Sequence, residues 1–381
     1  ISQLDDAQVA ERMILLLTCL RALGCSDLHL SAGAKPFVRR MLNIERFDDY
    51  VLPAEDAERL NTVLLSPERK ARFYEDMDIN FALEVGKDRF RVCLMMHKDG
   101  MEGSYRLVPD HICTLEELGF MDSDITHIKR LLDYHNGLVL VTGPIGSGKT
   151  TTLAAMVNII NDKRTDHIIT VEDPVEYQLP GINQVQVDRH VEMTFAAALR
   201  SMLRQAPNII MVGEIRDVET AEIAINAALT GHLVFSTLHT NDAPGAVTRL
   251  EDMRIPDYLL SDSIVGVIAQ RLVKRLCPAC KKKAKTTDKE MQLLGLSEPA
   301  HIYHAQGCQY CNHTGYKGRV AVHEIMYVNK EMKEVISNTR NSDKLRAVAK
   351  ENGLVTLWES CKNLVLNGET SIQELMTMNI E

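Results

Sequence analysis

Residues 143 to 150 read Gly-Pro-Ile-Gly-Ser-Gly-Lys-Thr and follow a short apolar run, Leu138 to Val141. The glycines let the backbone curl so that several N–H groups point into one small space, Lys149 adds a positive charge, and the Thr150 hydroxyl can ligate Mg²⁺. The helix-forming segment Thr151 to Ile160 follows, which completes the order strand, loop and helix. We therefore predict a phosphate-binding loop for a nucleotide; a glycine-rich turn without a ligand is the alternative. The predicted contacts are Gly143, Ile145, Gly146, Ser147, Gly148, Lys149, Thr150 and Thr151.

Two acidic segments follow the loop. The apolar run Ile209 to Val212 ends in Gly-Glu, which delivers Glu214 to the edge of a sheet, and Thr170 to Glu176 carries three carboxylates. Phosphoryl transfer to water needs one carboxylate to orient the nucleophile and others to help place a metal ion. Glu214 and the cluster of Glu172, Asp173 and Glu176 are therefore candidate catalytic or Mg²⁺-binding residues. A buried strand end and a solvated turn at Pro174 are the respective alternatives.

Two histidines, His232 and His239, flank the predicted strand Leu233 to Ser236. Taken alone, they are expected to be core histidines whose ring nitrogens form hydrogen bonds with backbone groups. The order of the motifs changes this interpretation, because together they resemble the secretion ATPase superfamily that powers type IV pili and type II secretion. In that family the motifs are Walker A, Asp box, Walker B and His box, and here they read Gly-Pro-Ile-Gly-Ser-Gly-Lys-Thr, Val-Glu-Asp-Pro-Val-Glu, Val-Gly-Glu-Ile-Arg-Asp, and Thr-Gly-His with Thr-Leu-His-Thr. The resemblance runs from about Asp27 to the C-terminus.

The resemblance implies a role for each motif. Lys149 and Thr150 would bind phosphate and magnesium, Glu176 would activate water, and Glu214 would be the Walker B acid. His232 and His239 would contact the γ-phosphate side. The family also closes N-terminal arginines on the nucleotide, and the residues at those positions are Arg89, Arg91 and Arg106. Arg89 and Arg91 project to the same face of a strand, and such cations stabilise the departing phosphate.

The family usually has Asp just before the Walker B strand, where this chain has Asn208. Because Glu214 is intact, hydrolysis is expected to persist. The motifs therefore predict ATP and Mg²⁺ as cofactors. Zn²⁺ is predicted as a third cofactor from the cysteines described next.

Four of the nine cysteines form two C-x-x-C pairs. Four soft thiolates in paired turns suit a closed tetrahedral Zn²⁺ site, which stiffens a loop and does not catalyse. Free thiols or an iron-sulfur cluster are the alternatives. The predicted ligands are Cys277, Cys280, Cys308 and Cys311. The remaining cysteines are expected to be small buried residues: Cys19, Cys25, Cys93, Cys113 and Cys361.

The distribution of patterns predicts two α/β domains. Residues 1–109 mix helical stretches with alternating strands and are expected to form an α+β domain, PAS-like by resemblance. A linker at 110–114 is predicted from Pro109, and Thr114 with Glu117 forms a capping box for the next helix. Residues 115–381 alternate strand and helix, which predicts a RecA-like core with parallel strands. Within it, 277–311 is the zinc-binding insertion and 329–381 a helical C-terminal region.

The composition limits the choice of partners. The net charge is −9, so there is no broad cationic field for nucleic acid, and a local basic cluster is interpreted as a solvated face: Arg271, Lys274, Arg275 and Lys281 to Lys283. The apolar stretch Met13 to Leu20 is too short to span a bilayer. The family implies a homohexamer in the cytoplasm, at the inner face of the cytoplasmic membrane, that acts on an inner-membrane platform protein.

The direction of the expected motor is ambiguous. Ser26 to Gly33 resembles the opening of the retraction ATPases, and the chain leaves no room for a further N-terminal docking domain, so pilus retraction with twitching motility is expected first. The tetracysteine element occurs in the pilus assembly and type II secretion branches, which are the alternative. A nucleic-acid translocase on the same core is the alternative from another class.

Overall fold

The computed structural model describes residues 1, 3–40, 43–46, 49–108, 111–338 and 341–378. Within them the chain divides into two compact units. The first contains Ile1–His111 together with Pro174–Gln178, and the second contains Ile112–Asp173 and Leu179–Glu381. Pro109 and Asp110, on which the predicted linker rests in part, lie outside the described residues. The assignment of Pro174–Gln178 to the first unit was not anticipated from the sequence.

The first unit is a six-stranded antiparallel sheet in the order β3-β2-β1-β6-β5-β4, with three helices. Its helices are α1 (Asp6–Ala22), α2 (Ala54–Thr62) and α3 (Pro67–Asp76). Its strands are β1 (Asp27–Ser31), β2 (Phe37–Arg40), β3 (Asn43–Arg46), β4 (Asp78–Val85), β5 (Asp88–His97) and β6 (Gly100–Leu107).

One face of this sheet forms the core of the first unit. Along β5 the side chains alternate, so that Phe90, Val92 and Leu94 are fully buried while Arg89 and Arg91 lie on the opposite face. The buried face packs in one cluster with apolar residues of the three helices, among them Val9, Met13 and Leu17 of α1, Leu60 of α2 and Phe73 of α3. The strand alternation thereby places Arg89 and Arg91 together on the face opposite the helices.

The second unit is built on a seven-stranded sheet in the order β15-β12-β7-β11-β10-β8-β9. Its strands are β7 (Gly137–Thr142), β8 (Ile168–Glu172), β9 (Asn183–Gln186), β10 (Ile209–Val212), β11 (Leu233–Leu238), β12 (Ile264–Leu276) and β15 (Tyr316–Tyr327); β13 (Lys282–Lys285) and β14 (His301–His304) form a separate two-stranded antiparallel sheet. The helices are α4 (Asp122–Leu132), α5 (Lys149–Lys163), α6 (Phe195–Met202), α7 (Val218–Leu229), α8 (Ala243–Asp252), α9 (Asp257–Ser263), α10 (Asp288–Leu294), α11 (Lys330–Asn338), α12 (Ser342–Glu351), α13 (Leu357–Leu366) and α14 (Ile372–Thr377).

Strands β12, β7, β11, β10, β8 and β9 pair in parallel, and β15 is antiparallel to β12. Every residue of β7, β8, β10 and β11 is buried. Strands that are covered on both faces read as continuous apolar runs, which is why these four were recognisable in the sequence. The parallel register brings their carboxyl ends to one edge of the sheet, and the predicted α/β core with a phosphate-binding loop at this edge is confirmed.

The predicted capping box of Thr114 and Glu117 is present, but it does not begin the next helix as the sequence predicted. Thr114 and Glu117 make the reciprocal bonds of a capping box, with Thr114 N donating to Glu117 Oε2 at 2.9 Å and Glu117 N donating to Thr114 Oγ1 at 3.3 Å. The box closes only a turn, and the next helix begins at Asp122. Gly119 ends the turn with φ of +92°, and a Cβ at this position would lie 2.7 Å from Val320. The close approach of Gly119 to β15 therefore ends this segment as a turn and not as a helix.

A buried carboxylate joins β15 to two helices. Glu324 is 1% exposed; its Oε1 accepts from the N–H of Ala243 at 2.9 Å and its Oε2 accepts from the N–H of Leu357 at 3.1 Å. These are the first residues of α8 and α13, whose N–H groups have no partner within their own helices. Burial raises the pKa of Glu324, while the two N–H donors oppose the rise. The carboxylate thus fixes two helix starts against the sheet.

The helices of the C-terminal region, α11 to α14, form where the sequence predicted helical structure, and they contribute Ile336, Leu345, Leu364 and Leu375 to the core cluster. Among the described residues, no helix is long and apolar enough to cross a membrane.

His323 is a buried ring on β15. It is 4% exposed and stacks on Phe120, and its Nε2 has no hydrogen-bond partner among the described residues. Burial lowers its pKa from 6.5 to about 3. The neighbouring cavity is lined by Asp124 and His127, yet desolvation alone accounts for the lowered pKa of His323.

Because the folded pKa lies below the unfolded value, His323 favours folding above pH 6.5 and this contribution is lost as the pH falls toward 3. We expect His323→Phe, which keeps the stacked ring, to flatten the fall in the free energy of unfolding between pH 6.5 and 4.5 by up to about 1.4 kcal/mol per pH unit. Urea unfolding at pH 7, 6 and 5 measures this. His301→Phe, at an exposed position, is the control, and equal slopes for His323→Phe and wild type would exclude the effect.

Candidate functional site

The loop after β7 has the geometry of a phosphate cradle. Gly146 and Gly148 have φ of +78° and +86°, and Gly148 is the N-cap of α5. Glycine adopts this conformation without strain, and the unpaired N–H groups at a helix start favour an anion. Lys149 is buried and its Nζ donates to the carbonyl oxygens of Gly143 at 2.9 Å and Pro144 at 3.1 Å. A polyphosphate can therefore bind here to backbone donors, the lysine and the helix N-terminus at once.

Glu214 lies at the same edge of the sheet, two residues after β10. Its Oε2 is 2.6 Å from Arg216 Nε and 3.6 Å from His239 Nε2. Burial lowers the pKa of Lys149, and the charge of Glu214 opposes this. Burial and the charge of Lys149 lower the pKa of His239, while the charge of Glu214 and its hydrogen bond to His239 oppose this decrease. The structure thus brings Lys149, Glu214 and His239 together, as a site for a metal-bound polyphosphate requires.

Arg216 was not singled out from the sequence. The hydrogen bond to Glu214 raises its pKa, and the charges of Glu214 and Asp173 add to the rise. The position of an arginine two residues after Glu214, the glutamate predicted to be the Walker B acid, was the available signal. Arg216 therefore pairs directly with the Glu214 carboxylate, and its Nε lies 2.6 Å from Glu214 Oε2.

His232 and Asn208 lie at the other end of the sheet. His232 precedes β11, where its Nδ1 is 3.0 Å from the carbonyl oxygen of Ala227, while His239 follows β11. At about 3.3 Å per residue, a six-residue strand separates them by some 20 Å. Within one chain the structure therefore does not bring His232 to the loop of Lys149. Its predicted role at the γ-phosphate remains a prediction.

Asn208 pairs the starts of two strands. Its Oδ1 accepts from the N–H of His167 at 2.9 Å, and its own N–H donates to the carbonyl of His167 at 2.9 Å. An aspartate carboxylate at this position would accept the same bond from the N–H of His167. The Asn208 side-chain oxygen therefore makes the contact between the two strand starts that an aspartate would make. Because Asn208 lies six residues before Glu214, at the amino end of β10, it does not touch the candidate site.

The three carboxylates of the acidic segment differ in their surroundings. Glu172 is 4% exposed, and its Oε1 accepts from Thr170 Oγ1 at 2.7 Å and from Gln184 Nε2 at 2.9 Å. Asp173 ends the part of the segment that belongs to the second unit. Glu176 belongs to the first unit, where its Oε1 is 3.1 Å from Arg91 Nη1. The roles predicted for these carboxylates remain predictions.

The three arginines lie on one face of the first unit's sheet. Arg91 and Arg106 are directly opposite each other on β5 and β6. Arg89 donates to the carbonyl oxygen of Val175 at 3.2 Å, and Arg106 Nε donates to Asp27 Oδ1 at 2.8 Å. Arg89 and Arg91 share a face of β5, as the strand alternation predicted, and the pairing of β5 with β6 adds Arg106 to the same face.

Asp27 was named in the sequence only as the start of the resemblance. It is 2% exposed, and its other carboxylate oxygen accepts from Ser26 Oγ at 2.7 Å. Arg39 Nε lies 3.8 Å from the same oxygen. The buried carboxylate thus anchors the Arg106 guanidinium through its Nε.

The four predicted metal ligands form a cluster. Their sulfur atoms all lie within 4.8 Å of one another, with Sγ–Sγ distances of 3.9 Å for Cys277–Cys308, 3.8 Å for Cys280–Cys311 and 3.7 Å for Cys308–Cys311. These distances exceed the roughly 2.05 Å of a disulfide. Four sulfurs about 2.3 Å from a central ion in tetrahedral geometry lie about 3.8 Å apart. The residues therefore fit Zn²⁺, which would hold the two turns together.

Backbone N–H groups beside the cluster stabilise the thiolate form of Cys311. The N–H groups of Cys308 and Gly315 each donate to Cys311 Sγ at 3.2 Å. Although desolvation raises the pKa of Cys311, these donors and the neighbouring thiols lower it to about 6. Such N–H donors support the ionised form that binds a metal.

A parallel α/β sheet that presents a glycine-rich loop, a buried lysine and an acidic residue at its carboxyl edge defines a P-loop NTPase. The chain matches the sequence profile of the Type II/IV secretion system protein family over residues 57–377. The chain belongs to this family.

Two relatives and one solved structure illustrate the similarity. The chain is 39% identical over its whole length to the Type II secretion system protein E of Pseudomonas aeruginosa, covering 77% of that protein. It is 40% identical over 98% of its length to the Type IV pilus assembly ATPase PilB of Myxococcus xanthus, covering 68% of that protein. The structure of the pilus retraction motor PilT with bound ADP is similar with a TM-score of 0.74 and 31% identity, over 96% of each chain. The protein is accordingly a P-loop ATPase that hydrolyses ATP.

We expect Arg106→Ala to reduce ATP turnover by at least about tenfold, because it removes a cation that the family resemblance assigns to the departing phosphate. Steady-state ATP hydrolysis by the full chain measures this. Arg12→Ala, which removes an exposed cation from the first unit, is the matched control. Wild-type turnover by Arg106→Ala would remove that residue from the site.

The purified chain is expected to carry about one zinc ion, and Cys308→Ser to lose it. Loss of the ion leaves two unconnected turns, so the melting temperature should fall by about 5 °C or more. Elemental analysis and thermal unfolding measure these effects, with Cys19→Ser as the control. The expectation that Cys19 is buried is wrong, because its thiol lies on the exposed side of α1. Less than a tenth of an equivalent of zinc together with four titratable thiols would contradict the site.

Proposed function

We propose that the protein is the Mg²⁺-dependent ATPase subunit of a type II secretion or type IV pilus assembly machine. The carboxyl-edge group of Lys149, Glu214 and His239 carries the proposal for hydrolysis, because it joins a phosphate cradle to a carboxylate with metal-binding capacity. The active form is a ring of six subunits in the cytoplasm, at the inner face of the cytoplasmic membrane. Its mechanical partner is an inner-membrane platform protein.

The tetracysteine cluster supports the assembly or secretion branch. It fits a structural zinc ion, and by the family resemblance this element is typical of assembly and secretion ATPases. The relatives described above carry the names of secretion and pilus assembly proteins and are 39% and 40% identical to this chain.

Pilus retraction, with twitching motility, is the second candidate, although the sequence alone favoured it first. Two observations support it: the Ser26 to Gly33 opening of retraction type, and the similarity over 96% of both chains to the retraction motor PilT. Both candidates use the same hydrolysis chemistry, so a test must measure the direction of work.

A nucleic-acid translocase is disfavoured by charge. Of the basic cluster, Lys274 lies 3.4 Å from Glu374 and Arg275 lies 2.6 Å from Glu369. Lys281 donates to the carbonyl oxygen of Gly368 at 2.8 Å. These cations are engaged within the chain, and the net charge of −9 provides no compensating field.

The deciding experiment is Lys149→Ala in the native host, because the lysine contributes to phosphate binding in every candidate. We expect loss of surface pili or of a secreted protein, with the protein level checked by blot. Excess pili with lost twitching would instead assign retraction. Lys163→Ala, an exposed lysine in the last turn of the same helix, is the control, and unchanged piliation, twitching and secretion by Lys149→Ala would contradict the proposal.

A further inference from the structure

Gln270 is a buried amide in the middle of β12 that contacts the phosphate-binding loop at two points. It is 1% exposed; its Nε2 donates to the carbonyl oxygen of Ser147 at 2.7 Å, and its Oε1 accepts from Thr152 Oγ1 at 2.7 Å. The two partners stand on either side of Lys149 and Thr150 in the sequence. Gln270 thus connects the loop and the first turn of α5 to a neighbouring strand.

The chemistry of the amide suits this position. A carbonyl oxygen only accepts, so the NH₂ group must face Ser147, and the remaining amide oxygen then accepts from the Thr152 hydroxyl. A carboxylate cannot make the first bond, and an apolar side chain can make neither. Both bonds are buried, so losing one partner leaves the other polar group unsatisfied.

The bond to Ser147 sets the direction of the next backbone donor. In a planar trans peptide the carbonyl of Ser147 and the N–H of Gly148 point in opposite directions. Holding the carbonyl toward β12 therefore turns the Gly148 N–H away from β12. Without this bond the peptide can rotate, because its rotation changes ψ of Ser147 and φ of Gly148, and glycine tolerates a wide range of φ.

The packing around Gln270 explains two glycines of the motif. A Cβ on Gly143 would lie 2.2 Å from the Gln270 carbonyl oxygen, and a Cβ on Gly148 would lie 2.9 Å from Gln270 Nε2. The strand approaches the loop so closely that neither position has room for a side chain. The loop and Gln270 therefore form one packed element.

We propose that Gln270 is a positioning residue for the nucleotide phosphates: through Ser147 and Thr152 it holds the phosphate-binding loop in the conformation that aims its backbone N–H groups at the ligand. This inference rests on the proposed function in that it takes the ligand to be a nucleoside polyphosphate. Gln270 does not touch the reacting atoms, so its removal affects nucleotide affinity more than the chemical step.

The test compares Gln270→Leu and the isosteric Gln270→Glu with wild type in the full chain. We expect Gln270→Leu to raise the KM for ATP and the Kd for fluorescently labelled ADP by on the order of 10-fold, with kcat changed less than about threefold. Gln270→Glu should be worse, because it sets a carboxylate against a carbonyl oxygen beside an anion site. ATP hydrolysis and fluorescence titration measure the two constants.

Thr152 supplies an independent pair of variants if Gln270→Leu does not fold. Thr152→Ser keeps the hydroxyl and should bind labelled ADP as wild type does, whereas Thr152→Val should bind it several-fold more weakly. Equal Kd values for wild type, Gln270→Leu and Thr152→Val, with hydrolysis intact, would overturn this inference and leave the proposed function standing. Failure of the wild-type chain to bind nucleotide would overturn both.

Discussion

The parallel register of β8, β10, β11 and β7 is the constraint on which the rest of the structure depends. Because parallel strands end at the same edge, the residues that follow β7, β10 and β11 meet there even though some 90 residues separate Lys149 from His239 in the chain. The same register sends the residues that precede the strands to the opposite edge. This is the physical reason that His239 lies with Glu214, whereas His232 and Asn208 do not.

Burial at the carboxyl edge of the sheet disfavours the charged form of Lys149. Desolvation lowers the pKa of Lys149, and the charge of the Glu214 carboxylate opposes the change. Arg216 in turn pairs with Glu214 at 2.6 Å. A buried ammonium is stabilised by negative charge, which Glu214 supplies from within the chain.

A second set of contacts links the elements that flank the loop. Gln270 joins β12 to the loop and to α5, and six residues further along the strand ends at Leu276, immediately before the first residue of the four-cysteine cluster. The outer end of β12 is also bound to the C-terminal segment, where Lys274 N donates to Glu374 Oε2 at 2.8 Å and Leu276 N donates to the carbonyl of Glu369 at 2.8 Å. One strand therefore contacts the phosphate-binding loop and the last helices, and leads directly into the four-cysteine cluster.

The sequence by itself determined the chemistry and the core strands. The phosphate-binding loop, the apolar runs of β7 and β10 and the two C-x-x-C pairs are local patterns whose residue types fix backbone freedom, burial or ligand softness. Tertiary structure alone decided which residues of a motif act together. It placed Glu172 in a buried hydrogen-bond network and Glu176 beside Arg91, and it ended the Thr114 capping box at a turn. It also gave Gln270 its two partners. These outcomes depend on contacts between residues up to 123 positions apart, and no local pattern of residue types encodes which distant group will satisfy a buried polar atom.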